Sequence, residues 1–190
     1  VLLAGDDFTT LEVLGRPFRV SAGSFFQVNT GQAAAMVEHL LEILPTTPQT
    51  SLLDVYCGVG LFSAFFAGRV GQVSGIELSE PACRDFAVNL DEFENVALYQ
   101  GAAEDVLPGL DFPVDVAIVD PPRAGLARPA LDALLQLAPP RLAYISCDPS
   151  TLARDAKRLL AGGYQLVQAT PFDLFPQTYH IESISLFEKA

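Results

Sequence analysis

The sequence predicts an α/β protein, a doubly wound and mostly parallel sheet of seven strands with helices on both faces and an antiparallel last strand. Three observations point there. Apolar runs bounded by Gly, Pro and Asp alternate with helical patterns, as parallel βαβ units do. The run Val114 to Val119 is nearly all apolar, which suits a strand covered on both faces. Two strand-like segments then follow one another at the carboxyl end.

Taken in order, residues 8–28 read as a short hairpin region around Gly15-Arg16-Pro17. Residues 1–28 are expected to be an appendage, the remnant of an upstream region, before a catalytic domain over 29–190. Asn29-Thr30 can cap a helix that runs to about Leu44, and Pro45 to Gln49 is a linker. Ser51 to Tyr56 is the first sheet strand, followed by a glycine-rich turn and a helix through Phe66. Val73 to Glu77 is the second, with a helix from about Pro81 to Glu92. Val96 to Gln100 and Val114 to Val119 are the third and fourth, and Arg128 to Leu137 is helical. Leu142 to Ser146 is the fifth. Pro149 opens a helix that Gly162-Gly163 closes, proline first and glycine last. Tyr164 to Thr170 and His180 to Phe187 complete the sheet.

Composition narrows the function. The 190 residues carry a formal charge of −12 and are 50% apolar, enough for a real core and against disorder. No run of 18 apolar residues occurs, so no membrane-spanning helix is expected. The opening Val1-Leu2-Leu3-Ala4-Gly5-Asp6-Asp7 lacks Met, a basic region and a long apolar stretch. It does not read as a signal peptide, and the chain reads as the tail of something longer. Cys57, Cys83 and Cys147 are an odd, widely spaced set, without the spacing of a zinc or iron–sulfur site. A cytoplasmic, reducing compartment and no metal are expected. The negative charge argues against a surface that grips nucleic acid by charge alone.

Sheets of this kind bind ligands beyond the carboxyl ends of their strands, and the polar oddities fall there. The first strand ends in Leu53-Asp54-Val55-Tyr56-Cys57-Gly58-Val59-Gly60. Gly58 and Gly60 permit a sharp turn and close backbone approach. Glu77 ends the next strand, 23 residues after Asp54, where an acid can accept hydrogen bonds from ribose hydroxyls. The turn lacks the third glycine of a dinucleotide site and the G-K-[ST] of a P-loop. It looks more like the S-adenosylmethionine turn of Rossmann-like methyltransferases. Asp120-Pro121-Pro122-Arg123 closes the fourth strand with a rigid, donor-poor backbone, a candidate substrate platform. Amino-directed methyltransferases follow a similar turn with an aromatic residue; Arg123 stands there instead, which disfavours methylation of an exocyclic amine.

Cys147, in Tyr144-Ile145-Ser146-Cys147-Asp148-Pro149, ends a strand and precedes a helix. A helix N-terminus stabilises anions and is expected to lower this thiol's pKa. Cys57 and Cys83 read as small buried hydrophobes. Glu182 interrupts an apolar final strand; it either faces solvent on an edge or has a job. Together Cys147 and Glu182 supply a nucleophile and a proton acceptor. His39 reads as a surface residue and His180 as too isolated to form a cluster.

These strings together resemble the catalytic part of the RNA uracil-5 methyltransferases, the 5-methyluridine enzymes of tRNA and ribosomal RNA. The likeness runs from Ser24-Phe25-Phe26-Gln27-Val28-Asn29 to the end. Beyond Asp54–Gly60 and Asp120–Arg123, it rests on Ser146-Cys147-Asp148-Pro149-x-Thr151-Leu152-Ala153-Arg154-Asp155 and Asp173-x-Phe175-Pro176-x-Thr178-x-His180-x-Glu182. The family usually has Asn at the place of Asp148. Ala102 stands where an Asp or Asn often meets the adenine, with Glu104 or Asp105 as substitutes.

The resemblance implies a Rossmann-like class I S-adenosylmethionine-dependent methyltransferase that methylates uridine at C5 in tRNA or rRNA. Cys147 would add to C6 and Glu182 would take the C5 proton. Gln27, Tyr56, Gly58, Gly60, Glu77 and Asp120 would hold the cofactor, Asp120 also meeting the uracil edge and Arg123 the RNA. Sister cytosine-5 enzymes carry a second cysteine after the fourth strand; Pro121-Pro122-Arg123-Ala124 has none, which favours uracil. The charge of −12 then implies that RNA phosphates are gripped mostly by an upstream part. A small-molecule methyltransferase or a non-catalytic cofactor-binding module on the same fold is the alternative.

Overall fold

The structure is a computed structural model that describes residues 5–190. Val1 to Ala4, which belong to the opening segment and to the 1–28 appendage discussed above, lie outside the described residues. The elements are β1 (Phe8–Val13), β2 (Arg16–Ser21), α1 (Thr30–Ile43), β3 (Ser51–Val55), α2 (Leu61–Phe66), β4 (Gln72–Glu77), α3 (Glu80–Asn89), β5 (Val96–Gln100), α4 (Ala103–Val106), β6 (Val116–Val119), α5 (Arg128–Leu137), β7 (Arg141–Ser146), α6 (Pro149–Ala161), β8 (Tyr164–Phe172) and β9 (Glu182–Lys189).

The seven-stranded sheet has the order β5-β4-β3-β6-β7-β9-β8. All neighbours are parallel except those of β9, which runs antiparallel to β7 and β8. From β3 the chain winds outward through β4 and β5, then returns to β6 on the other side. The strand order therefore reverses between β3 and β6, where such sheets open a crevice. Every residue of β6 is buried, as a strand covered by helices on both faces requires.

Strand alternation builds two cores. Leu52, Val116, Ile118, Ala143 and Ile145 face α1, α2 and α3. Leu53, Val55, Ala117, Val119, Leu142 and Tyr144 face α4, α5 and α6. The hairpin turns at Leu14-Gly15, both at positive φ, the conformation of a two-residue type I′ turn. Its Val13, Phe18 and Val20 enter the first core. Asp85 on α3, fully buried, accepts hydrogen bonds from Ser21 N, Ser21 Oγ and Ser24 Oγ at 2.6–2.7 Å and pairs with Arg19 at 3.1 Å. Asn89 accepts from Arg19 N and donates to Arg19 O and Val59 O.

Several boundaries differ from expectation for identifiable reasons. Tyr56 is not the last residue of its strand but turns out of it at φ 65°. β6 starts at Val116; Asp115 just before it donates its N–H to Ser51 O and accepts from Ser51 N with its carboxylate. The helix after β4 ends at Asn89, whose side chain is spent on the hairpin. β9 starts at Glu182 rather than His180, leaving His180 in a loop, and β8, bulged between Leu166 and Gln168, continues past Thr170 to Phe172, which pairs with Glu182.

Candidate active site

A cleft of about 1300 Å³ lies beyond the carboxyl ends of the parallel strands. Its walls come from the tips of β3 (Tyr56, Gly58), β4 (Glu77), β5 (Gly101, Ala102), β6 (Asp120, Arg123) and β7 (Cys147), with Gln27 and Glu182 completing it. Eight of the nine sequence-derived site residues thus meet in one place; Gly60 does not. Gly60 is buried at φ 89°, and a Cβ there would lie 2.3 Å from Leu90 Cδ1 and 2.9 Å from Phe86. Its glycine serves the packing of α2 on α3. Gly58, at φ 55°, faces the cleft, and a Cβ there would meet only Phe25 O at 4.0 Å.

The turn after β3 is held by Glu77. One carboxylate oxygen accepts from Gly58 N at 3.0 Å, the other from Ser79 N at 2.6 Å. Tyr56 N and Cys57 N both donate to Ile76 O, which helps hold Tyr56 in a left-handed conformation that a non-glycine residue rarely adopts. Asp54 is completely buried beneath the turn. It accepts from Ser63 N and Oγ, while its second oxygen has no partner among the described residues. Burial pushes its pKa up to about 6, hydrogen bonds from Ser63 opposing the rise and the charge of Glu77 adding to it.

The Asp120–Leu126 loop is fixed by the next motif in the chain. Asp155, buried on α6, accepts from Leu126 N at 2.8 Å and Tyr144 Oη at 2.8 Å; Arg154 donates to Asp155 and to Ala124 O. Gly125 is required here, since a Cβ would stand 2.5 Å from Asp155 Oδ2. The Ala153-Arg154-Asp155 string therefore shapes the loop that presents Asp120 and Arg123. Burial, then the charges of Glu182 and Asp54, lifts Asp120 to about 8.

Register brings Cys147 and Glu182 together. Ser146 on β7 pairs with Ser183 on β9, so Cys147, one residue beyond, faces Glu182, one residue before. Glu182 is 7% exposed; it is on an inner strand, not a solvent-facing edge. Its pKa is raised by desolvation, with Arg123 opposing. The Cys147 thiol is also raised, first by desolvation and then by Glu182, while Arg123 pulls it down and Asp120 pushes it up. This corrects the expectation of a lowered thiol. The N-terminus of α6 is already occupied by Asp148, whose carboxylate accepts from Ser150 N and Thr151 N, so its positive end is spent before it reaches the sulfur.

Arg123 Nη2 stands 2.8 Å from His180 Nδ1 and 3.1 Å from Nε2. His180 is therefore part of the cleft, not isolated, and only the loop before β9 brings it there. Glu104, at the start of α4, lines the cleft and raises Tyr56, after desolvation, to about 12; Asp105 does not line it. Cys57 and Cys83 are buried, as expected. Among the described residues no three His, Cys, Asp or Glu side chains form a metal-holding group, and no helix is long and apolar enough to cross a membrane.

Comparison with known proteins places this geometry. An RNA methyltransferase of Thermosynechococcus vestitus, described as uncharacterized, is 43% identical over 97% of this chain and 42% of its own length. A counterpart from Chlorobaculum tepidum is 38% identical over 100% of this chain and 41% of its own. The chain thus spans about two-fifths of the curated relatives it matches. Among solved structures, the tRNA (uracil-54, C5)-methyltransferase of Pyrococcus abyssi, in complex with S-adenosyl-L-homocysteine, superposes with a TM-score of 0.83 at 29% identity, covering 97% of this chain and 45% of that one. The family model described as tRNA (Uracil-5-)-methyltransferase matches residues 7–190, and the chain belongs to that family.

Proposed function

We propose that this chain carries out S-adenosylmethionine-dependent methylation of uridine at C5 in tRNA or rRNA, through a covalent adduct of Cys147 at uracil C6. The observation that supports this reading most is the β7–β9 register, which sets a thiol and a buried carboxylate face to face in the cleft.

The residues present fit the cofactor. Glu77 is already anchored by two backbone N–H groups and keeps acceptor capacity for ribose hydroxyls. Gly58 lines the cleft with no side chain, leaving room for close approach to its backbone. The acidic wall of Glu77 and Glu104 suits a ligand that carries a sulfonium and an ammonium. Gln27 and Tyr56 complete the holding set, and Glu104 rather than Asp105 is the acid available to the adenine. When bound, S-adenosylmethionine supplies the electrophilic methyl group that C5 takes up.

The chain's own residues prepare C5 and finish the reaction. The Cys147 thiolate forms a bond to C6, and the electron pair of the C5–C6 double bond moves toward O4, which makes C5 nucleophilic. A protonated Asp120 can donate to the uracil edge where that charge develops. After C5 is methylated, Glu182 removes the C5 proton, the double bond reforms and the C6–Sγ bond breaks, which returns the thiolate. A target uridine must leave its stack to present C6 to the sulfur.

We further infer that residues 29–190 form the body of the catalytic unit, with Gln27 reaching the cleft from the segment before it, and that RNA phosphates are gripped mainly by parts of the protein outside this chain. Digestion of unmodified tRNA and rRNA transcripts after reaction tests the assignment. 5-Methyluridine should be the product, Cys147→Ala should form none, and Glu182→Gln should slow turnover by roughly 10²–10⁴-fold. Methyl transfer to a small molecule but to no RNA would overturn the assignment.

A further inference from the structure

The loop between β8 and β9 holds rings that the chemistry above does not use. Tyr179 is 90% exposed, and its ring lies 4.2 Å from that of His180 at an interplanar angle of 42°. His180 in turn contacts Arg123 and, edge-on at 6.1 Å, Phe175. His180, Phe175 and Arg123 line the cleft; Tyr179 is one ring further out, outside the lining. The loop is tied down locally. Thr178 Oγ1 donates to Phe175 O at 2.7 Å and accepts from His180 N at 3.2 Å. Asn29 of the segment before α1 donates to Leu174 O at its base.

An exposed tyrosine tilted against a cleft histidine gains nothing from burial, and its free face is a surface for another planar group. Unpaired RNA bases seek such faces, and an adjacent guanidinium complements their phosphates. We propose that Tyr179 and His180, with Arg123 beside them, form a subsite for the nucleotide next to the target uridine in single-stranded RNA, the flanking base stacking on Tyr179. The position fits a neighbour rather than the target, because the target must reach Cys147 inside the cleft while Tyr179 stands at its outer lip. The inference rests on the function proposed above.

The test uses the intact protein and an unmodified transcript that it methylates. Tyr179→Ala should raise the KM for RNA about tenfold, as loss of one stacked base does, with kcat changed much less and S-adenosylmethionine affinity, measured calorimetrically, unchanged. Tyr179→Phe should restore the KM. In the same transcript, 2-aminopurine placed beside the target should be quenched by the wild-type protein and not by Tyr179→Ala. An RNA KM within twofold of wild type for Tyr179→Ala, with quenching retained, overturns the subsite while the uridine chemistry stands. Failure of the wild-type protein to form 5-methyluridine on any tRNA or rRNA transcript overturns both.

Discussion

At Cys147 one cation opposes two carboxylates. Arg123 favours the thiolate, Glu182 and Asp120 disfavour it, and desolvation adds to their effect. Removing the guanidinium should therefore raise the thiol further. Arg123→Gln is expected to slow alkylation of Cys147 by iodoacetamide at pH 7 several-fold and to move the alkaline limb of the rate profile to higher pH, with alkylated peptides identified by mass spectrometry. An unchanged profile would remove Arg123 from the site's electrostatics. The identities of Cys147 and Glu182 were legible in the sequence because each is a polar residue at a strand boundary or within an apolar run. The direction of the thiol's pKa was not. It depends on Asp148 filling the helix N-terminus, which the Asp148-Pro149 pair does signal, and on Glu182 lying opposite, a pairing with no linear signature. His180 was missed for the same reason, since its partner is 57 residues away.

At the scale of the element, the turn from β3 to α2 divides labour between its two glycines. Gly60 fills a gap against Leu90 and Phe86, and Gly58 faces the cleft. Gly60→Ala should cost roughly 2–4 kcal/mol in urea unfolding, combining a left-handed backbone with a core clash. Gly58→Ala should cost only about 1 kcal/mol yet weaken S-adenosylmethionine binding. Equal losses of stability would contradict this division. A turn with two glycines reads as one motif in sequence; only the helix it packs on tells them apart. The same holds for α3, whose apolar pattern gave the helix but gave no hint that Asp85 and Asn89 clasp the hairpin. The Arg154-Asp155 string was legible as a family signature, and its physical work, holding the Asp120 loop through Leu126 and Ala124, is a contact across about 30 residues.

Across the whole molecule, the parallel sheet was readable because an apolar period and helical periods alternate along the chain, and the site's location followed from where the strand order reverses. The site is also a stability cost. Asp54 titrates near 3.8 when unfolded and about 6 when folded, so the folded state holds its proton more tightly. Its stabilising contribution is complete below the unfolded value and is lost as pH rises through about 6, amounting to at most about 3 kcal/mol. Asp120 loses its own contribution as pH rises toward about 8. Asp85 runs the other way. Burial alone would raise it, but hydrogen bonds from Ser24 and Ser21 and the charge of Arg19 hold it below its ordinary value. Its contribution is present above the unfolded pKa and lost as pH falls through the folded one. Asp54→Asn should therefore gain stability relative to wild type between pH 4 and 7, read as denaturant midpoints, and Asp85→Asn should lose it. A difference from wild type that does not vary with pH would remove Asp54 as a buried charge.

The central claim is that Cys147 bonds to the pyrimidine. RNA carrying 5-fluorouridine in place of uridine presents the same C6 to the thiol but has no C5 proton for Glu182 to remove, so the adduct cannot collapse. With S-adenosylmethionine present, the intact protein should form a denaturation-resistant RNA complex, and peptide mapping should place the nucleotide on the Cys147 sulfur. A complex of equal yield with Cys147→Ala, or a nucleotide mapped to another residue, would contradict the account.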